Sequence, residues 1–517
     1  MNNPGQASAS SSTEPQASVE EKHFATDHLL GDLRRHTVSG GVITVLAQAS
    51  KLGLTLISTV VMARLLTPED FGLVAMVGTI TGFLQVFKDA GLSTATIQKA
   101  EITHAQVSNL FWINLGVSAT LSLLVAVLAP AVAWFYRDAR LVNVTLALAC
   151  TFAISGGVVQ HQALLNRQMR FKALALIDIS STTLGLLVGV AMACLKFGYW
   201  SLVGMQLSTG LAELAMTLWI SRWRPQRPLR GAGTRSLLHF GASLTVASIF
   251  RRLAGGCDSL LIGRWYGAAA VGLYTRAMSL FIRPMGPLTA PFESVLTPVL
   301  SHLQGDPGRY RRTFLKAYGA VTLVWLPITG VIMALSRPLV LVLLGAKWEK
   351  AIPIFGWFCI AGLFLPLYCF VTCLLNTQGR GRDIMTTGLI FSATTVGSIV
   401  AGLPFGPVGV ALSTSCVGLL VRLPVQFYIV GRRGPVRTGD LWAASLKYLP
   451  NWVIVVGVTY LTLKALPPNS APIVQLCLCA PVGVIAGILM ALGVPSQKRE
   501  TLYLWELLKS FILCPRA

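Results

Sequence analysis

Six of the 42 Lys and Arg residues, Lys51, Arg251, Arg252, Arg276, Arg283 and Arg422, fall inside long apolar runs. A Lys or Arg at the centre of a bilayer costs about 2.5–3.5 kcal/mol on insertion scales, so such a group must face water, a counter-ion or an anionic ligand. Lys51 stands 13 residues ahead of Arg64, about 20 Å along a helix rising ~1.5 Å per residue, which is too deep to reach either headgroup layer easily. Around it Thr44, Gln48, Thr55 and Ser58 recur at steps of four and three, a spacing that stacks them on one helix face. Two hundred residues later Ser248, Arg251, Gly255 and Asp258 repeat the pattern; Gly263-Arg264 then answers Ala63-Arg64, and Val271-Gly272-Leu273 answers Phe71-Gly72-Leu73. These are two parallel copies of one unit, each expected to set a cation inside the bilayer on a face turned toward the other copy.

Two arrangements would satisfy these cations. Lining a hydrated cavity, they would hold an anion, and Arg would give bidentate contacts to phosphate oxygens. Paired internally, Arg251 would meet Asp258, Arg252 or Arg276 would meet Glu293, and Lys51 would meet Asp178 or Glu213. Adjacent residues point about 100° apart on a helix, so Arg251 and Arg252 cannot share one centre, whereas Arg276 and Arg283, seven apart, can. The candidate ligand-binding set is therefore Lys51, Arg251, Arg276 and Arg283 with Gln48 and Asp258. Lys88, Asp89, Arg252, Glu293, Asp178 and Glu213 are candidates for gating or ion pairing. Thr67-Pro-Glu-Asp70 reads as a helix start, with Thr as N-cap, Pro at the first position and acids in the first turn.

The elements that must carry these residues are membrane spans. With 54% hydrophobic residues, 12% charged residues and a mean hydropathy of +0.65, the chain is an all-α polytopic membrane protein. At about 20 apolar residues per span, the count is fourteen, with twelve as a lower bound. The spans fall at 40–63, 71–90, 109–134, 141–163, 173–195, 200–220, 237–262, 269–300, 314–336, 351–375, 384–404, 406–430, 444–466 and 471–493. Of the Lys and Arg, 27 lie in alternate loops on the side of the N-terminus and nine on the other. This bias makes both termini cytoplasmic and explains the net charge of +22 without nucleic acid. The boundaries expected are a disordered cytoplasmic tail over 1–37, lobes over 38–220 and 236–430, a basic linker over 221–235, two further spans over 444–493 and an interfacial tail over 497–517. No signal peptide is expected, and the ten Cys read as buried small hydrophobes without a disulfide framework or metal site. No cofactor is expected.

Val61 to Lys99, VMARLLTPEDFGLVAMVGTITGFLQVFKDAGLSTATIQK, resembles the first-loop signature of the Wzx-type oligosaccharide flippases, in the branch that serves exopolysaccharide and colanic-acid-like export. Asn166-Arg167, Arg170-Phe171, Phe197 to Val203, Asp258 to Gly263, Gly272-Leu-Tyr274 and Gly345-Ala-Lys-Trp348 continue it. The resemblance implies a MATE-like transporter of the multidrug/oligosaccharidyl-lipid/polysaccharide superfamily, with two six-helix lobes around a central cavity. It also implies movement of undecaprenyl-diphosphate-linked oligosaccharide across the bacterial inner membrane for exopolysaccharide or lipopolysaccharide export, so that the bound anion would be the diphosphate. Implied partners are membrane lipids, a polysaccharide polymerase and a chain-length regulator. A cation- or drug-exporting antiporter of the same superfamily is the alternative, but Lys51 and Arg251 give the cavity the wrong sign. A glycan ligase or polymerase would need a sizeable outer loop with acid–base groups. The outer loops are short and hold only Glu69, Asp70, Asp138 and Glu349 as acids, so an enzyme is not expected.

Overall fold

The computed structural model describes residues 33–89, 93, 96–97, 102–229, 255–282, 296–494 and 497. Its first half holds α1 (Leu33–Leu65), α2 (Pro68–Asp89), α3 (His104–Tyr136), α4 (Arg140–Gly156), α5 (Val159–Arg167), α6 (Phe171–Cys194) and α7 (Trp200–Ser221). The second half opens with α8 (Cys257–Ile282), α9 (Pro307–Ala334), α10 (Ser336–Leu343), α11 (Ile352–Ala361) and α12 (Leu365–Thr377). It continues with α13 (Gly381–Gly402), α14 (Gly406–Val417), α15 (Leu423–Gly431), α16 (Thr438–Leu446), α17 (Leu449–Ala465) and α18 (Pro472–Gly493). Among the described residues nine helical segments are long and apolar enough to cross a membrane. One of them, Gly381–Gly431, has 51 residues and would reach about 75 Å at ~1.5 Å per residue, more than twice the ~30 Å apolar slab. It folds back instead at Leu403–Phe405, where Gly406 adopts φ +74°, and α13 then lies against α14.

Local chemistry sets the helix ends. Thr67 and Asp70 cap α2 reciprocally: the Asp70 amide donates to Thr67 Oγ1 (3.3 Å) and the Thr67 amide to Asp70 Oδ2 (2.9 Å), as the spacing predicts. Helix α1 starts at Leu33, so residues 33–37 belong to it rather than to the expected tail. At 33 residues, or about 50 Å, it outruns the slab and its first turns stand beyond it. The first part of the basic linker is strapped to α3. Asn109 exchanges hydrogen bonds with the Leu229 backbone at 2.7 and 2.9 Å, and Trp112 Nε1 donates to the Gln226 carbonyl at 2.8 Å. Residues 230–235, 1–32 and the tail beyond Gln497 lie outside the described residues. None of the nine described cysteines forms a disulfide with another described residue. Cys150, Cys194 and Cys477 are exposed rather than buried as expected, because the perimeter of a membrane bundle is itself apolar.

Two halves meet along α2 and α8. Helix α8 breaks at Gly267 (φ +77°) and resumes at Ala268, just as α1 ends at Leu65 and α2 starts at Pro68. The 200-residue offset therefore relates helix–break–helix units as well as side chains. The interface core is a single apolar cluster that includes Met62, Phe71, Val74, Ile262, Val271, Tyr274 and Trp348. Helices α17 and α18 pack on the far side against α9, where Gly483 and Gly487 give close approach to Val331 and Pro327.

Candidate functional site

Loops expected on the weakly basic side meet at one end of the bundle, where the two halves hydrogen-bond to each other. Helix ends leave carbonyls without intrahelical partners, and here each half satisfies one for the other. Trp348 Nε1 donates to the Ala63 carbonyl near the end of α1 at 2.9 Å, and the Arg64 guanidinium donates to the Val342 carbonyl near the end of α10. The Trp348 ring meets Phe71 edge to face, with centroids 5.4 Å apart. Beside this closure Arg140 pairs with Glu69 (2.7 Å) and Asp138 (2.8 Å), tying the start of α4 to the start of α2. Asp138 lies in the loop outside the spans, and the Arg140 guanidinium holds its carboxyl below the usual carboxylate range.

Arg276 sits just inside the closed end. Nine residues past Gly267, about 13 Å along the helix, its guanidinium lies over the Phe71 ring at 4.0 Å from the centroid. A cation–π contact of this kind contributes roughly 0.5–2 kcal/mol. It places a positive group of the second half against α2 of the first. Arg251, Arg252, Arg283 and Glu293 lie outside the described residues, as do the side chains of Lys88 and Asp89.

Lys51 takes one of its internal pairings. Its Nζ lies 2.8 Å from Asp178 Oδ2 on α6, with both side chains close to half exposed (47% and 46%). One turn away Gln48 is exposed, while Ser58 contacts Met205 Sδ on α7 at 3.7 Å. The described part of the polar stripe thus meets α6 and α7 of its own half. Small side chains there, Gly185 against Thr209 and Gly189 against Met205, let α6 and α7 pack closely and present Asp178 to α1. Asp258, the counterpart of Ser58, also turns inward: Oδ1 accepts from the Ser259 amide (2.6 Å), and the Tyr274 hydroxyl is hydrogen-bonded to it. Glu213 does not join Lys51. It accepts from Gln162 Nε2 (2.9 Å) and lines a cavity of about 270 Å³ with Gln85, Gln206 and Thr209.

Two residues carry more than spacing revealed. Trp348 stands 285 positions from the carbonyl it holds, and no periodicity reports a contact over that separation. Arg422 is buried on a π-turn (Gly418–Arg422), donates to Thr394 Oγ1 (3.1 Å) and Ser398 Oγ (3.3 Å), and lies 4.8 Å from the Phe391 ring centroid. His161, a candidate proton relay by residue type, is buried against Phe111 and Trp223 with Nδ1 2.9 Å from Ser221 Oγ, which is a packing role.

Comparison with known proteins agrees with this architecture. The lipopolysaccharide biosynthesis protein WzxC of Escherichia coli (strain K12) is 25% identical over 409 residues, covering 77% of this chain and 82% of that protein. The succinoglycan biosynthesis transport protein ExoT of Rhizobium meliloti (strain 1021) is 26% identical over 392 residues, covering 75% and 79%. The fold superposes on the inward closed conformation of the lipid II flippase MurJ with a TM-score of 0.70 at 14% identity, over 87% of this chain and 98% of that one. An inward-facing MATE-family multidrug transporter superposes at 0.56 over 74% and 94%. Residues 61–353, which run from the last turn of α1 through the Phe71–Arg276–Trp348 closure, match a family described as polysaccharide biosynthesis protein, and the chain belongs to that family.

Proposed function

We propose that the chain is a flippase that carries undecaprenyl-diphosphate-linked polysaccharide repeat units across the inner membrane by alternating access, for exopolysaccharide or lipopolysaccharide export. The observation that carries the reading is Arg276. It is a cation at the interface of two sequence-related halves, on the inner side of an end closed by Phe71 and Trp348. The relatives bear names in polysaccharide biosynthesis and transport, and the MurJ-like fold fits a transporter with no covalent step.

In this reading residues 38–220 rock against 236–430. With the outer end closed, Lys51, Arg251, Arg276 and Arg283 take the diphosphate and first sugars from the cytoplasmic side, Gln48 and Asp258 border the path, and the polyprenyl tail stays in lipid. Rocking opens the Trp348 closure and delivers the head group outward. Both termini face the cytoplasm, and the product passes to a polymerase with its chain-length regulator. The test compares Arg276→Gln and Lys51→Gln with Arg276→Lys and Lys51→Arg, scored for surface polysaccharide and for accumulated lipid-linked repeat units. Normally inserted Gln variants that lose export and accumulate repeat units support the reading; export at the unsubstituted level sinks it.

A further inference from the structure

At the opposite end of the second half, three of the basic loops converge on a cavity of about 780 Å³. Its wall runs from Gln378 to Asp383 and from Arg433 to Pro435, with Gln304 and Tyr310 behind. One guanidinium there is structural. Arg380 donates to Asp383 (2.7 Å), Gln378 (3.2 Å), the Val430 carbonyl (2.9 Å) and the Arg433 carbonyl. Arg432 takes the other oxygen of Asp383 at 2.6 Å, so both oxygens of this carboxylate are already paired with guanidinium groups. Arg382 and Arg433 line the same cavity, both are exposed, and neither has a carboxylate in reach among the described residues. Gly379 (φ +65°) and Gly434 (φ +129°) make the turns that hold the wall open, and a Cβ on Gly434 would press on Gln378 Oε1.

We propose that this cavity binds the phosphodiester headgroup of an anionic membrane phospholipid, with Arg382 and Arg433 as its two open donors. A soluble phosphate would satisfy the same charges, but α13 argues for a lipid. On the helix face below Arg382 stand Met385, Leu389, Val396 and Val400, at 68%, 56%, 38% and 55% exposure. They fall three, seven, 14 and 18 positions on, which is one face of a helix. An exposed apolar ridge that starts at a basic cavity accommodates acyl chains under a bound headgroup, and basic pockets between helices are sites of this kind. The site is remote from Arg276 and Lys51 in sequence and in the fold, and it does not rest on the nature of the transported substrate.

The test is native mass spectrometry of the full-length protein released from nanodiscs of mixed phosphatidylglycerol and phosphatidylcholine. The unsubstituted protein retains one phosphatidylglycerol in preference to phosphatidylcholine. Arg382→Gln with Arg433→Gln lowers that preference about tenfold, the paired Lys replacements keep most of it, and Arg227→Gln, on another loop, changes nothing. If the double Gln variant does not fold, each single Gln variant lowering the preference severalfold supports the site. Gln variants that retain phosphatidylglycerol at the original level overturn it. Displacement of the lipid by inorganic phosphate at millimolar concentration reassigns the cavity to a soluble anion and overturns it too.

Discussion

Gly72 and Gly272 stand 200 positions apart in sequence and pack reciprocally: a Cβ on Gly72 would overlap the carbonyl oxygen of Ala268, and a Cβ on Gly272 the carbonyl oxygen of Pro68. Pro68 and Ala268 are themselves 200 apart, so the two contacts are images of one another, as at an isologous interface between subunits. Here both copies lie on one chain, and the absence of a side chain allows two backbones to touch at the interface between the halves.

Alanine at either glycine should therefore do equal damage. Overpacking a site of this kind costs roughly 1–3 kcal/mol, and here it falls on the end where Trp348 meets Phe71. Gly72→Ala and Gly272→Ala are expected to raise labelling of a cysteine placed at buried Leu66 by a membrane-impermeant maleimide, in an otherwise cysteine-free chain. Unequal effects of the two would mean that only one contact bears on closure.

Much of this was legible because the repeat has two independent signatures. The matched side chains of residues 44–73 and 248–273 predict the pairing of units, and the break at Gly267 answers the break before Pro68. Capping by Thr67 and Asp70 is a local matter and reads directly from four residues. The direction of the polar stripe was not legible. Periodicity says which residues share a face but not what that face meets, and Asp178, 127 positions from Lys51, decided it. Long-range donors such as Trp348 leave no periodic trace at all.

The Lys51–Asp178 pair separates two roles for Lys51. If the lysine serves only the pair, Lys51→Gln with Asp178→Asn removes both charges together and should export better than either single variant, because neither leaves an unmatched ion in the slab. If the lysine also meets the substrate, the double variant stays as inactive as Lys51→Gln. Repeat-unit accumulation in the three strains distinguishes these outcomes, and the near half exposure of both groups favours the second.

Acid should loosen the outer rim through Asp138. Its carboxyl is held below its ordinary value first by the hydrogen bond from Arg140. A depressed folded-state value means the contribution is fully present above the unfolded value and is lost as pH falls through the folded one. Thermal stability in detergent should thus be indifferent to this group from pH 8 to about 5 and fall only below about 4. Arg140→Gln should remove that acid-dependent part while leaving the plateau slope unchanged; a loss of stability between pH 7 and 5 that Arg140→Gln abolishes would contradict the assignment.

Trp348 is the sharpest probe of closure, because its two contacts can be removed separately. Trp348→Phe keeps a ring against Phe71 but leaves the Ala63 carbonyl without its donor. The Thr67 amide, which would continue the helix bond to that carbonyl, is already committed to Asp70. Leaving a buried acceptor unmet costs about 1–3 kcal/mol, all of it charged to the outer-closed state. Phe71→Ala removes the ring contact and uncovers Arg276 without touching the hydrogen bond. If closure depends on the helix-end carbonyl, Trp348→Phe raises outer labelling of a cysteine at Leu66 more than tenfold while Phe71→Ala mainly impairs export. The reverse ranking would place closure in the aromatic contact and leave the carbonyl as packing.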